Sequence, residues 1–268
     1  MKHKLQLART APPPNNDATL AIDIGGTGLK VSVLDSAGTM LVDRVRVDTP
    51  SPCTPQILLD AIVDLVAPLP PFDRISVGFP GVVRDGRILT APHFDHDAWR
   101  NFPLAATLSE RLGKPVRLLN DAEVQGFGII KGQGLEFVLT LGTGAGTALF
   151  RDGVLMPHLE LSQHPVHGDK TYDDYIGAEA LKRKGRKKWA NHVRKTIRIL
   201  ESLLHYDVIY LGGGNADKVG GLSSDILIES NQAGITGGIR LWDAGVAQSL
   251  FVAAADTDRA PASRSTAG

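Results

Sequence analysis

Asp23-Ile24-Gly25-Gly26-Thr27-Gly28-Leu29-Lys30 puts an acid, three glycines, a hydroxyl and an ammonium between two apolar runs. Glycines let a backbone turn tightly and aim N–H groups at an anion; Thr27 adds a hydroxyl donor and Lys30 a point charge. The set suits a phosphate. Asp23 beside it suits a magnesium ion held through water, because magnesium takes oxygen ligands and gives up its hydration shell reluctantly. A plain glycine hairpin with an exposed Asp would have the same spacing. Leu141-Gly142-Thr143-Gly144-Ala145-Gly146-Thr147 is a second such turn, and its spacing is not the one that opens a dinucleotide-binding helix. Two phosphate turns, one in each half of a chain, are what a phosphoryl-transfer cleft between two lobes requires. Leu118-Leu119-Asn120-Asp121-Ala122 runs from a strand end into a helix. A carboxylate there can accept the proton of an attacking hydroxyl, although an Asp at a helix start is also a common cap. Beside the two turns, Asp121 is the candidate general base.

These groups need rigid elements on either side. Leu20 to Ile24 and Leu29 to Leu34 read as strands flanking the first turn, and Met40 to Val47 alternates as a half-buried third strand. Thr54 to Ala67 has helical spacing behind a Thr54 cap and stops at Pro68-Leu69-Pro70-Pro71. A strand at Ile75 to Phe79, a helix at Leu104 to Leu112 and a strand at Val116 to Leu119 complete the first half. The second half reads as a helix from Ala122 to Ile130, strands Phe137 to Leu141 and Gly146 to Phe150, and a polar loop through Gly168. Helices Tyr172 to Lys184 and Lys187 to His205 follow, then a strand at Val208 to Leu211 closed by Gly212-Gly213-Gly214. A weak strand at Ile226 to Glu229 and a last helix from Ile235 to Ala254 end the pattern. A glycine hairpin opens each half, a weak internal symmetry. The expected organisation is a mobile leader over 1–17, an N-terminal lobe over 18–119, a C-terminal lobe over 120–253 and a mobile tail over 254–268.

Composition narrows the function classes. Hydrophobic residues are 43% and charged residues 22% of the 268, enough apolar material for a core and too much for a disordered chain. Lys+Arg and Asp+Glu number 29 each, so no overall basic excess draws the protein to nucleic acid or a membrane. The lone Cys53 makes no internal disulfide, and no apolar run reaches the length of a membrane span. A cytoplasmic protein is the expectation. The charge is uneven, however: the seventeen residues from Lys182 to Arg198 hold nine Lys/Arg and no acid. That run is a solvated helix face or a local field for a polyanion such as inorganic polyphosphate. Only Trp189 and His192 in it could stack on a base, so nucleic acid is the weaker reading. His93, Asp95, His96 and Asp97 could hold a metal, yet no second cluster supports them, and Trp99 and Phe102 read as packing for that loop.

Asp23-x-Gly-Gly-Thr, Phe79-Pro80-Gly81-Val82-Val83, Leu119-Asn120-Asp121-Ala122, Leu141-Gly142-Thr143-Gly144-x-Gly146 and Leu211-Gly212-Gly213-Gly214 occur in one order. The series resembles the ROK family of sugar kinases, most closely its short polyphosphate/ATP glucokinase (glucomannokinase) branch. The resemblance implies an α/β fold of two ribonuclease H-like lobes, the actin-like ATPase architecture of hexokinase and Hsp70. It implies a hexose kinase that moves a phosphoryl group from ATP or polyphosphate to the 6-hydroxyl of glucose, with mannose as a second acceptor and magnesium as cofactor. Asn120 and Asp121 would contact the sugar, Asp121 as base; Gly81 would let the backbone approach a sugar hydroxyl. Gly25, Gly26, Thr27, Lys30, Gly142, Thr143, Gly144 and Gly146 would hold phosphates, and Gly213 and Gly214 would lie by the nucleoside end of the donor. A homodimer is a family expectation.

The departures bear on the acceptor. Family members carry Glu-x-Gly-His after the second turn, where Glu and His hold sugar hydroxyls; here the segment is Glu160-Leu161-Ser162-Gln163, followed by His164. Glu160 is kept, and Gln163 or His164 would have to supply the second contact. The family's zinc-binding cysteines are absent, so no zinc is expected. ROK repressors carry a winged helix ahead of the kinase part, which seventeen residues cannot supply. The competing expectations are a sugar-sensing protein of the same fold with weak turnover and a kinase for a different hexose.

Overall fold

The computed structural model describes residues 17–250 except Ser224, Asp225 and Asn231. Its first sheet is built from β1 (Thr19–Ile24), β2 (Leu29–Leu34), β3 (Val45–Val47), β4 (Arg74–Phe79) and, last in the row, Val116–Asn120. β1 and β2 form an antiparallel hairpin around the first glycine turn, and β4 lies parallel to β1 on the other side. All six residues of β1 are buried, as expected for a strand with both faces covered. Two very short strands, β5 (Val83–Arg84) and β6 (Arg87–Ile88), lie between β4 and that last strand, which is therefore β7.

α1 (Pro55–Val66) packs Leu58, Leu59 and Ile62 on this sheet behind its Thr54 cap. A one-turn helix, α2 (His96–Trp99), buries Trp99 against Phe79, with ring centroids 4.9 Å apart, and the indole N–H donates to the Cys53 carbonyl at 2.7 Å. α3 (Leu104–Leu112) closes the layer, ending at Gly113 with φ 66°. Trp99 packs the 93–97 loop through Phe94, with ring centroids 6.0 Å apart, and Phe102 packs on Trp99 at 5.6 Å. The third strand is shorter than expected: Met40 contributes only a single bridge to Leu34, and regular pairing begins at Val45.

α4 (Asp121–Phe127) leaves β7 and is buried along nearly its whole length. The second sheet then repeats the first in kind. β8 (Leu135–Leu141) and β9 (Ala145–Arg151) form a hairpin around the second glycine turn. β10 (Val154–Leu155) extends the β9 edge, and β11 (Pro165–His167) with β12 (Lys170–Thr171) makes a separate small hairpin. The stretch read as one helix from Tyr172 is two, α5 (Tyr172–Ile176) and α6 (Ala178–Lys184), because the backbone is extended at Gly177. That break lets Ala178 N–H donate to the Thr143 carbonyl at 3.0 Å, tying α6 to the second turn. α7 (Arg186–Leu204) buries Trp189, Val193, Ile197 and Leu200 and ends in a left-handed His205. β13 (Val208–Gly212) and β14 (Ile226–Ile228) run parallel to β8.

The last segment departs most from the sequence reading. Instead of one helix from Ile235, there is α8 (Ala233–Thr236), a 3-10 stretch over Gly237–Trp242, and α9 (Ala244–Leu250); residues 251–254 of the expected helix lie outside the described residues. The reason is close approach: a Cβ at Gly237 would stand 2.0 Å from the Val124 carbonyl oxygen. The segment crosses back to the first sheet. Ser76 Oγ donates to the Gly238 carbonyl at 2.6 Å, Trp242 Nε1 donates to Ser76 Oγ at 2.9 Å, and Arg117 donates to the Leu241 carbonyl. The Arg117 guanidinium also lies 4.1 Å from the Trp242 ring centroid. Among the described residues no helix is long and apolar enough to cross a membrane.

Candidate active site

The two hairpins converge on one cleft of about 420 Å3. Asp23 ends β1 and faces Lys30 in the β2 register, so Lys30 Nζ reaches Asp23 Oδ2 at 2.7 Å with both side chains largely buried. Gly25 N–H closes the turn on the Gly28 carbonyl at 2.9 Å. β3 supports it from behind, where Arg46 donates to the Thr27 carbonyl at 3.2 Å. In the second turn Gly142 N–H bonds the Gly144 carbonyl at 3.0 Å. Gly146 N–H bonds Thr140 Oγ1 at 3.1 Å, and Ala145 N–H bonds Asp173 Oδ1 at 2.8 Å. The turns face each other so closely that a Cβ on Gly26 would lie 3.3 Å from the Thr143 side chain.

Asn120 and Asp121 sit between them, and the structure separates the cap from the candidate base. Asn120 is the cap: its Oδ1 accepts from Ala122 N–H at 2.9 Å, and Glu123 Oε2 accepts the Asn120 N–H at 3.1 Å, completing a capping box. Its amide nitrogen donates to the Gly81 carbonyl at 3.1 Å, fixing Gly81 at the cleft wall. Asp121 is then the first helical residue and its carboxyl lines the cleft, where Oδ1 accepts from the Ala122 N–H at 2.9 Å. Burial, and next the charge of Asp23, push this carboxyl up to about 7, with Glu160 adding to the rise and the Ala122 N–H and Lys30 opposing it. A carboxyl titrating there is poised to take a proton near neutrality.

Glu160 lines the opposite side. Ser162 donates to its Oε1 twice, from N–H at 3.1 Å and from Oγ. Behind it stands His158, which the sequence reading passed over. His158 Nδ1 is 2.7 Å from Glu123 Oε1 and its Nε2 is 3.5 Å from Glu160 Oε2. Burial alone would lower this imidazole, yet the two carboxylates outweigh it and raise the ring to about 9. Glu160 is in turn held below the usual carboxylate range: burial would raise it, and His158 and Ser162 more than reverse that. His158 therefore ties the Glu160 loop to the capping box that presents Asp121. Glu123 was legible as the third residue of that box; His158 was legible only as a neighbour two residues from Glu160 on an extended segment.

Asp23, Gly25, Gly26, Thr27, Lys30, Gly81, Asn120, Asp121, Gly142, Thr143, Gly144, Gly146, Glu160, Gly213 and Gly214 all line this cleft. Gln163 and His164 do not. Gln163 is exposed and donates to Asp173 Oδ2 at 3.0 Å, while His164 is exposed beside Tyr172. The Ser162-to-Glu160 bonds turn the loop so that the two side chains after it point outward. His93, offered by the sequence as a metal candidate, and Asp173, which was not, bridge the lobes at 3.6 Å over the second turn. His93 does so without its expected companions, because Asp95 caps α2 and His96 accepts from Ala91 N–H. Among the described residues no three His, Cys, Asp or Glu side chains group as a metal site.

Known proteins resemble this chain in sequence and in fold. The model of the ROK family matches residues 19–157. Polyphosphate glucokinase of Mycobacterium tuberculosis (strain ATCC 25618 / H37Rv) is 32% identical over 208 residues, which are 74% of this chain and 77% of that protein. Inorganic polyphosphate/ATP-glucomannokinase from Arthrobacter sp. strain KM superposes with a TM-score of 0.77 at 31% identity, covering 87% of this chain and all of that one. A ROK family glucokinase from Streptomyces griseus, solved with glucose and AMPPNP, shares the fold at a TM-score of 0.71 and 22% identity, over 84% of this chain and 98% of that one. The two glycine hairpins, the capped Asn120-Asp121 strand end and the two-lobed actin-like ATPase fold place this chain in the ROK family.

Proposed function

We propose that the protein is a hexose kinase that transfers a phosphoryl group from ATP or inorganic polyphosphate to the 6-hydroxyl of glucose, with mannose as a second acceptor. The single observation that carries this reading is the Asp121 carboxyl, raised to about 7 and set between the two glycine turns. The relatives named above support the acceptor and both donors. In this reading Asp121 accepts the proton of the attacking hydroxyl, Asn120 and the Gly81 carbonyl shape the sugar side, and Glu160 accepts sugar hydroxyls. The glycine N–H groups with Lys30 and Thr27 hold the transferring phosphates, and Gly213 and Gly214 flank the far end of the donor. Catalysis is positioning plus charge stabilisation, with closure of the lobes over the cleft excluding water. Lys30 occupies only Oδ2 of Asp23, so Asp23 fits a magnesium ion bound through water, and that ion would neutralise charge on the donor phosphates.

One observation favours a second reading. Gln163 and His164 face away from the cleft, so the sugar loses a contact from this loop, and a sugar-binding protein with weak turnover would tolerate that loss. A coupled assay for glucose 6-phosphate with magnesium, run with ATP and with polyphosphate and repeated with mannose, allose and N-acetylglucosamine, separates the two. Turnover of glucose with either donor upholds the kinase. A sugar that raises the melting temperature without any turnover upholds the binding protein.

A further inference from the structure

Among the described residues, three buried side-chain atoms lack a hydrogen-bond partner: Gln125 Nε2, His158 Nε2 and Thr196 Oγ1. His158 is held by the charges of Glu123 and Glu160, and Thr196 is fully buried within α7. Of the three, Gln125 is the one that lines the cleft, and it does so while only 5% exposed. A buried amide hydrogen without an acceptor is costly, whereas an apolar side chain of the same shape would fill the place without that cost. The sequence puts a glutamine there all the same, in the wall of a site built to take a ligand.

α4 positions this amide. Gln125 follows Asp121 by four residues, so the two side chains share one face of the helix that runs from the first sheet to the second. The carboxamide lies against the end of β13: a Cβ on Gly212 would stand 2.5 Å from Nε2 and 2.9 Å from Cδ. A Cβ on Gly213 would in turn stand 2.6 Å from the Leu141 carbonyl oxygen, at the start of the second glycine turn. Gln125 thus belongs to the side of the cleft made by that turn and Gly213, rather than to the Asn120-Gly81 wall. Turning the amide over about its last bond exchanges nitrogen and oxygen with little change of shape, so an N–H can face the cleft. Asp23, Asp121 and Glu160 line the cleft, and a further cation beside Asp121 would pull its carboxyl back toward the ordinary range. A neutral carboxamide holds a phosphate oxygen without doing so. We propose that the Gln125 carboxamide donates a hydrogen bond to a non-bridging phosphate oxygen of the phosphoryl donor, beside Gly212. That the ligand is a phosphate rests on the kinase reading; that Gln125 takes a ligand oxygen rests on its unpaired amide.

The test uses the full chain with Gln125→Met, which keeps the length and removes the amide, and Gln125→Glu, which keeps the shape and replaces the donor by a carboxylate. Binding of tripolyphosphate and of AMPPNP, each with magnesium, is measured by calorimetry, and glucose binding by thermal shift. Gln125→Met is expected to weaken both phosphate ligands by about tenfold or more and by the same factor, because the contact is to a group that they share. Gln125→Glu should weaken them at least as much, and increasingly as pH rises and the carboxylate ionises. Without ligand, Gln125→Met should melt no lower than wild type, since it buries no unpaired amide. Glucose binding stays within about twofold. Should Gln125→Met not fold, the pH dependence of Gln125→Glu carries the same test. Phosphate affinity unchanged in both variants, or no binding of either phosphate ligand by wild type, overturns the proposal. A loss confined to AMPPNP places the contact on the nucleoside, and a loss confined to glucose places it on the sugar; either overturns the choice of ligand. If no sugar is phosphorylated by any donor but the variants still lose tripolyphosphate, the Gln125 contact stands and the kinase reading falls.

Discussion

Replacing His158 by Gln removes the cation between Glu123 and Glu160 while keeping the volume close. The folded-state value of about 9 against the ordinary 6.5 amounts to about 3 kcal/mol of preference for the charged ring. Its side chain is only 14% exposed, so solvent screens little of this. The sign follows from the direction: a raised imidazole stabilises the fold fully below about pH 6.5 and loses that contribution as pH climbs through about 9. Glu160 has the opposite sign, its contribution present above 4.5 and lost as pH falls, so the pair stabilises most between about 4.5 and 6.5. The assay is urea unfolding of wild type and His158→Gln from pH 5.5 to 10, with the difference in stability plotted against pH, since groups remote from the pair cancel in that difference. The expected difference is about 3 kcal/mol near pH 6, shrinking toward zero above pH 9. Two parallel curves with a constant offset would mean that His158 packs without carrying charge, and the reasoning would fail.

Five further outcomes are expected. Asp121→Asn should cut turnover by about 10²–10⁴ while leaving sugar binding largely intact, measured by single-turnover kinetics beside a sugar thermal shift. The same variant should melt no lower than wild type, because the crowded carboxyl it replaces is disfavoured in its charged form. In wild type kcat/KM should fall as pH drops through about 7, because the base must be deprotonated; a flat profile from pH 5.5 to 8 would remove Asp121 from that role. Gly237→Ala forces a methyl into the Val124 carbonyl and should cost about 1–3 kcal/mol in urea unfolding, whereas a neutral result would mean that the 3-10 segment shifts freely. Gln163→Ala should change the sugar KM by less than about twofold, as for an ordinary surface site, and a larger rise would show that the loop turns inward when sugar binds.

The parts of the fold that were legible are those whose signal is local. Gly25-Gly26 and Gly142 to Gly146 announce hairpins because a glycine turn between apolar runs is complete within about a dozen residues, and β1, β2, β8 and β9 follow from it. Thr54 and the prolines after Ala67 bound α1 for the same reason. The last helix was misread because its apolar and small residues fit a helix, while the constraint that breaks it, the Val124 carbonyl against Gly237, comes from more than a hundred residues upstream. Gly177 misled in the same way, since its extended backbone is dictated by the turn at Thr143.

The same distinction governs the candidate site. Asp23, Lys30, Asn120 and Asp121 are legible because each stands at a strand end beside its own turn, so position along the chain and position in the cleft coincide. His158, His93 and Asp173 carry no such mark, because each works on a partner brought in by the fold: His158 on Glu123, His93 on Asp173, Asp173 on Ala145. The Gly-to-Ser change at 162 joins the two levels. A serine there adds a hydroxyl and a Cβ, the hydroxyl engages Glu160, and the residues after it swing outward to Asp173 and Tyr172. The imidazole that steadies Glu160 then comes from two residues before it, at His158, on the buried side of the carboxylate. A cation behind Glu160 keeps it ionised and fixed, whereas a side chain in front of it would also touch the acceptor. Acceptor selectivity in this chain should accordingly depend on Glu160 and the Asn120-Gly81 wall more than on the loop that follows.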